Sequence, residues 1–226
     1  MKRFLFENVS NMRDLGGCST KNGKITKYNS FIRSSLPNNM LDSEINLLLE
    51  NNIKTIIDLR NSDEVNRKKN CLNKDGFNYY NISLRGDKCP DVEDDISTGY
   101  IEILKDKETI EKVFSIILNS NTGILFNCSA GKDRTGVIAM LLLLLAGVSD
   151  DDIIADYSIS YIFIRNQIKQ MHIDNPDLPA FLGGSKYEYM EEALNIFYKE
   201  FGDIEEYLKW VGFNSSDIDM IKNKIV

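Results

Sequence analysis

The sequence predicts an α/β layered domain with a C-terminal helical cluster. Three observations carry that expectation. Short apolar runs alternate with amphipathic stretches in the first half of the chain. A compact apolar strand, Gly123 to Asn127, runs straight into the segment Cys128 to Gly136. Helical patterns dominate beyond Thr135.

Taken in order, Phe31-Ile-Arg and Lys54 to Leu59 read as short strands. Between them Asp42 caps a helix that turns Ile45, Leu48 and Leu49 inward. Asn61-Ser62 starts another short helical stretch, and Phe77 to Ser83 is aromatic and β-branched enough for a third strand. Gly123 to Asn127 is the fourth. Thr135 to Ala146 reads as a fully buried helix stopped by Gly147, and Ser149 with Asp152 forms a capping box for the next. His172 to Ser185, with Pro176, Pro179 and Gly183-Gly184, reads as a long loop. Helices are expected over Tyr187 to Phe201, Ile204 to Trp210 and Asp217 to Val226, with Trp210 in the core. No internal repeat or low-complexity linker divides the chain, so residues 1–226 are expected to form one domain.

Composition narrows the function. The chain has 226 residues, 42% of them apolar, and a net charge of −7 without a long basic cluster. Nucleic acid is therefore not an expected partner, because phosphate-backbone binding needs clustered Lys and Arg. The apolar start gives way to Glu7 too soon for a signal peptide, and the longest apolar run, Val137 to Val148, is shorter than the ~20 residues a membrane span needs. The four cysteines, Cys18, Cys71, Cys89 and Cys128, form no CxxC pair, and there is a single histidine. A zinc site is thus not expected, nor any other cofactor, and free thiols in a reducing cytoplasm fit best. Oligomeric state leaves no mark on the sequence.

The chemistry concentrates in Asn127-Cys128-Ser129-Ala130-Gly131-Lys132-Asp133-Arg134-Thr135-Gly136. A cysteine between a buried strand and a helix N-terminus sits where successive backbone N–H groups form a nest for an oxyanion. The same field, with Arg134, favours a Cys128 thiolate. Ser129, Ala130, Gly131, Lys132 and Thr135 complete the phosphate-binding set. Gly131 lets the loop turn, Arg134 offers a planar fork to two phosphate oxygens, and Thr135 is placed to hydrogen-bond the sulfur.

This Cys-x5-Arg-Thr loop resembles the protein tyrosine phosphatase superfamily. CSAGKDRTG is similar to its bacterial and fungal tyrosine/lipid branch, typified by secreted phosphatases of mycobacteria and Listeria. Asn11-Met-Arg-Asp-Leu-Gly-Gly17, Ile32-Arg-Ser-Ser-Leu36, Ile57-Asp-Leu-Arg60 with Glu64, and Ala155-Asp-Tyr-Ser look like further landmarks in the same order. The resemblance implies a tyrosine-phosphatase-like central sheet flanked by helices, no metal, and a cysteinyl-phosphate intermediate. It also implies phosphorylated protein or phospholipid substrates: phosphotyrosine, sometimes phosphoserine/threonine and phosphoinositides. In relatives a histidine precedes the nucleophile, whereas here the position is Asn127.

The leaving oxygen needs a proton donor. Asp133, matching the Lys-Asp pair of the resembled branch, is the first choice, and Asp87 is the second. Lys132 at the pocket rim hints at multiply phosphorylated substrates, as in relatives that act on phosphoinositides. Asp14 is expected to fix a turn, and Arg60 and Glu64 to form an ion pair at the edge of the site. Tyr157, Tyr161, Phe163, Phe181, Tyr187 and Tyr189 are candidates to face an aromatic substrate, with core packing the expected use of most. Cys18 or Cys89 would be the thiol to trap an oxidised Cys128, although two unrelated thiols is the simpler reading. The rival functions are a phosphoinositide phosphatase and an inactive phospho-binding module.

Overall fold

The structure, a computed structural model, describes residues 3–84 and 95–226. Among the described residues five strands form one sheet: β1 (Arg13–Asp14), β2 (Phe31–Ser34), β3 (Ile53–Asp58), β4 (Asn78–Asn81) and β5 (Gly123–Asn127), in spatial order β1-β2-β5-β3-β4. β2, β5, β3 and β4 run parallel, and only β1 is antiparallel at its edge. Parallel strands need cover on both faces, and the period-two alternation supplies it. Phe31, Ile57, Ile124 and Phe126 enter one core, whereas Ile32, Ile56 and Leu125 enter the other.

The smaller core lies under α1 (Asp42–Glu50) and the N-terminal segment, through Phe4, Met12, Ile45 and Leu48. The larger lies under α3 (Asp95–Lys105), α4 (Lys107–Asn119), α5 (Asp133–Ala146), α6 (Asp150–Ser158), α8 (Tyr187–Phe201), α9 (Ile204–Val211) and α10 (Ser215–Ile225). α5 is apolar on all sides because it is surrounded on all sides. It ends at Gly147, whose left-handed φ of 78° lets the Gly147 and Val148 N–H groups return to Leu143 O and Leu144 O.

Several elements depart from the sequence reading. β4 is shorter than Phe77 to Ser83: it is an edge strand whose asparagine ends are exposed, although Ile82 N still donates to Asp58 O at 2.9 Å. α3 and α4 fill residues 95–119, where the sequence reading places no element. α7 (Ser160–Asp174) continues through His172, so the loop begins at Asn175. His172 belongs to the last turn of α7, with Nε2 3.0 Å from Leu182 O. α10 starts at Ser215, capped by Asn214, rather than at Asp217. Trp210 is 43% exposed, outside the core, because α9 turns Tyr207, Leu208 and Val211 inward instead. It lies against Phe201, Tyr207 and the Lys107 ammonium.

The register positions the site. Ser34 pairs with Asn127, Asn127 with Asp58, and Asp58 with Asn81, so the carboxyl ends of four parallel strands finish in one row. Open parallel sheets bind ligands beyond that edge. The segment leaving β5 there is Cys128 to Arg134.

Candidate active site

The loop from Cys128 to the start of α5 is held by its carbonyls. Leu36 N donates to Ser129 O at 3.2 Å. Asn11 Nδ2 donates to Ala130 O at 3.0 Å and to Gly131 O at 2.9 Å. One Arg33 nitrogen donates to Gly131 O at 2.8 Å and to Lys132 O at 3.2 Å. In a planar trans peptide the N–H points opposite the preceding C=O. Four carbonyls pulled outward therefore turn the N–H groups of residues 130–133 toward the concave side. Gly131 permits this turn at φ 67°, and a Cβ there would meet the Ser34 carbonyl and Ser35 N at 2.4 Å. No side chain fits.

The donors are themselves held from behind. Arg13 and Arg33 are fully buried and share Asp156 of α6, at 2.7 Å and 2.5 Å. Arg13 also donates to Asp156 O, Ser160 Oγ and Asn11, reaching both the backbone and the side-chain oxygen of the asparagine. Burial pushes the Asp156 carboxyl upward, but the two guanidinium charges outweigh it and hold its pKa at about 2. Burial and the neighbouring Arg33 lower Arg13 to about 10, still protonated at neutral pH.

On the other side of the loop Arg134, in the first turn of α5, meets Glu64 in a two-pronged pair at 2.6 and 2.8 Å. Ser129 Oγ donates to the same carboxylate at 2.5 Å. Burial raises the Glu64 pKa, but hydrogen bonds from Arg134 and Ser129 and the Arg134 charge outweigh it, and the carboxyl falls to about 2. Glu64 lies on α2 (Ser62–Arg67), whose N-cap Asn61 makes a capping box with it. Arg60 anchors that helix, donating to Glu64 O at 3.2 Å and Lys68 O at 2.7 Å. Its ion-pair partner is Asp58, at 2.7 Å. The expected Arg60–Glu64 pair is thus replaced by two pairs, Arg60–Asp58 and Glu64–Arg134.

Cys128 is 3% exposed, at the head of the loop. Asn127 beneath it is buried, donating to Asp58 Oδ1 at 3.2 Å and accepting from Asn70 Nδ2 at 3.0 Å. The amide therefore braces the loop's stem without carrying charge. Thr135 Oγ1 is buried and has no hydrogen-bond partner among the described residues, Cys128 included, so the expected bond to the sulfur is not formed here. Lys132 is not at the rim. It is 4% exposed, and Nζ donates to Gly184 O at 2.5 Å and lies 3.1 Å from Asp133 Oδ1. A buried ammonium needs such partners, and here they tie the Gly183-Gly184 turn to the Cys128–Arg134 loop.

Asp133 Oδ1 also accepts from Tyr100 Oη at 2.5 Å, and that hydroxyl lies 2.6 Å from Tyr157 Oη. Burial, then the Asp133 charge, push Tyr100 well above its ordinary pKa. Tyr157 and Tyr189 are core residues, whereas Tyr161 and Tyr187 are exposed. Asp14 fixes its turn as expected, accepting from Gly16 N at 2.8 Å and Asn29 N at 2.7 Å. Burial raises the Cys18 pKa. Asp87 and Cys89 lie outside the described residues.

A cysteine loop with inward-turned amides at the carboxyl edge of a parallel sheet is the class of site that fold and geometry define. The chain belongs to the tyrosine phosphatase family, whose model matches residues 4–226. It is a phosphatase hydrolase by that membership. A tyrosine-protein phosphatase of Nostoc commune is 30% identical over 87% of this chain and 74% of its own length. The triple specificity protein phosphatase PtpB of Mycobacterium tuberculosis is 25% identical over 49% of this chain and 46% of its own. Among solved structures, P. aeruginosa TpbA superposes with a TM-score of 0.40 at 13% identity, covering 82% of this chain and 88% of that one.

Proposed function

We propose that the chain, acting as one domain over residues 1–226, hydrolyses phosphotyrosine through a cysteinyl-phosphate intermediate. The observation that carries this reading is the outward-held carbonyls of residues 129–132, which aim a row of N–H groups across the loop headed by Cys128 and closed by Arg134. Cys128 Sγ attacks phosphorus, and the ester P–O bond breaks while the amides and Arg134 hold the equatorial oxygens. Asp133 gives its proton to the leaving phenolate oxygen. Water then attacks the cysteinyl phosphate, Asp133 takes the proton back, and the thiolate leaves. A thiolate in this role works in a reducing compartment, the cytoplasm. Among the described residues no helix is long and apolar enough to cross a membrane.

The test is Cys128→Ser. Turnover of a phosphotyrosine peptide is expected to vanish while vanadate still binds, since a serine hydroxyl is far less acidic but the amides remain. Wild-type turnover in that variant overturns the mechanism. Asp133→Asn is expected to cost ~10²–10⁴ in rate on phosphotyrosine and less on a nitrophenyl ester, whose leaving group needs no proton. Equal losses on both substrates, at unchanged vanadate affinity, would remove Asp133 from the role.

A further inference from the structure

Asp133 opens α5, and two groups hold one of its two carboxyl oxygens. Tyr100 Oη lies 2.5 Å from Oδ1 and the Lys132 ammonium 3.1 Å from the same atom, whereas no hydrogen bond among the described residues reaches Oδ2. The Asp133 side chain is still 43% exposed, so the carboxyl is not closed off from a substrate. Tyr100 comes from α3, and Tyr157 stands behind it on α6; both are buried. Their hydroxyls meet at 2.6 Å and their rings pack edge to face, centroids 5.9 Å apart. Gly136 makes room for this, since a Cβ there would meet the Tyr157 ring at 3.2 Å. A phenol has one proton and a carboxylate only accepts. Tyr100 therefore donates to Asp133, and Tyr157 must donate to Tyr100. Burial first, and the Asp133 charge second, push both phenols well above their ordinary pKa, so both stay donors.

We propose that Tyr100 is the positioning residue of the general acid, fixing Asp133 Oδ1 so that Oδ2 alone gives and regains the catalytic proton. This rests on Asp133 as that acid. Oδ1 already faces a phenol and an ammonium, which occupy its two lone-pair directions. The neutral acid therefore carries its proton on Oδ2. That proton passes to the phenolate oxygen as the ester P–O bond breaks. In the second step the attacking water returns a proton to Oδ2 as the P–S bond breaks. An aspartate carboxyl turns easily about its last torsion, yet an acid must lie within hydrogen-bond reach of the leaving atom. The chain from Tyr157 through Tyr100 removes that freedom. Ser97 Oγ, donating to Tyr189 O at 3.0 Å, ties α3 to α8 and so fixes where the phenol stands. α6 serves the site twice: Asp156 holds the arginines beneath the loop's carbonyls, and Tyr157, next in sequence, holds the phenol that holds the acid.

The experiment is a double-mutant cycle between Tyr100→Phe and Asp133→Asn, read on a phosphotyrosine peptide and on p-nitrophenyl phosphate. Tyr100→Phe is expected to lower kcat on the peptide by about tenfold with KM unchanged, the scale of a slightly misplaced catalytic group. On p-nitrophenyl phosphate the loss is expected to stay under about threefold, because that leaving group needs no proton. In the Asp133→Asn background the same change is expected to cost nothing further. Tyr157→Phe, which deletes a neighbouring hydroxyl but leaves the Tyr100–Asp133 bond, is expected to cost less on the peptide than Tyr100→Phe. Vanadate affinity reports whether the loop is intact in each variant. If Tyr100→Phe weakens it, Tyr100→Phe with Tyr157→Phe, which strands no buried hydroxyl, takes its place in the cycle. Equal losses on both substrates, or a loss that persists in Asp133→Asn, make Tyr100 a packing residue and overturn the proposal. So does wild-type kcat on the peptide in Tyr100→Phe when Asp133→Asn has lost it. If Asp133→Asn itself loses no more on the peptide than on the nitrophenyl ester, the acid reading fails and the positioning role fails with it.

Discussion

Two ion networks flank the Cys128–Arg134 loop, and they differ in what they hold. Behind the loop, Arg13, Arg33 and Asp156 are nearly sealed from water and grip backbone, through Asn11 and the carbonyls of Gly131 and Lys132. In front, Glu64 and Arg134 are partly solvated, and the pair grips the guanidinium expected to touch the substrate. The rear network sets the shape of the cradle and the front network sets the aim of one charge. The rear pairs are correspondingly more costly to break, because removing one member strands charge in a dry interior.

The largest expected effect is therefore on the rear. Asp156→Ala leaves Arg13 and Arg33 side by side without a counter-charge and is expected to destabilise the fold by ~3–5 kcal/mol in a urea titration. A loss under about 1 kcal/mol, the scale of an exposed pair, would erase the contrast between the two networks.

Next comes the front. Glu64→Gln keeps the capping amide but frees the guanidinium, and is expected to lower kcat/KM by ~10–100-fold on phosphotyrosine through poorer positioning. Its stability change is expected to stay near 1 kcal/mol. The discriminating readout is vanadate affinity, which should fall with kcat/KM. Unchanged affinity would make Glu64 a purely structural cap.

The smallest effect is in pH dependence. Asp156 and Glu64 both have folded-state pKa values depressed to about 2. Their contribution to stability is complete above the ordinary carboxylate range near pH 4, and is lost as pH falls from there toward 2. The Asp156 part is expected to be about 2 kcal/mol. Denaturation followed between pH 5 and pH 2 should show a shallower acid limb in Asp156→Asn than in the wild type. Identical limbs would mean that the carboxylate is not held by its arginines.

The loop from Cys128 to Gly136 was legible because strand, turn and helix signals are local and contiguous there. The row of strands beneath it was legible for the same reason. Its fixings were not. Asn11, Arg33 and Asp156 stood in recognisable motifs, but Arg33 lies 98 residues before Gly131 and Arg13 lies 143 before Asp156. Nothing local says which carbonyl an arginine will find. Arg60 pairs with Asp58, two residues back at the end of β3, rather than with Glu64 four residues on, and Glu64 turns to Arg134 of α5, 70 residues away. Lys132 was read by its neighbours in the loop, and a residue 52 positions away, Gly184, decided its burial. Ile110, Val113, Phe114 and Ile117 of α4 did carry a readable helical spacing, and all four are buried. Trp210 failed on the converse ground: on an amphipathic helix a large ring can cover a neighbour from outside.

The long reach of the rear network bears on the order in which the chain becomes able to react. Synthesis releases residues from the N-terminus, and contacts between distant segments close late in folding. Arg33 emerges early and β5 pairs with β2 once Asn127 is out, yet the counter-charge for both arginines is at Asp156, beyond α5. A nascent chain that stops short of α6 thus presents Cys128 in a loop whose arginines lack their carboxylate. The cradle's shape is completed only after β5, the loop and α5 have all been made, so the rear network is among the later contacts of the fold.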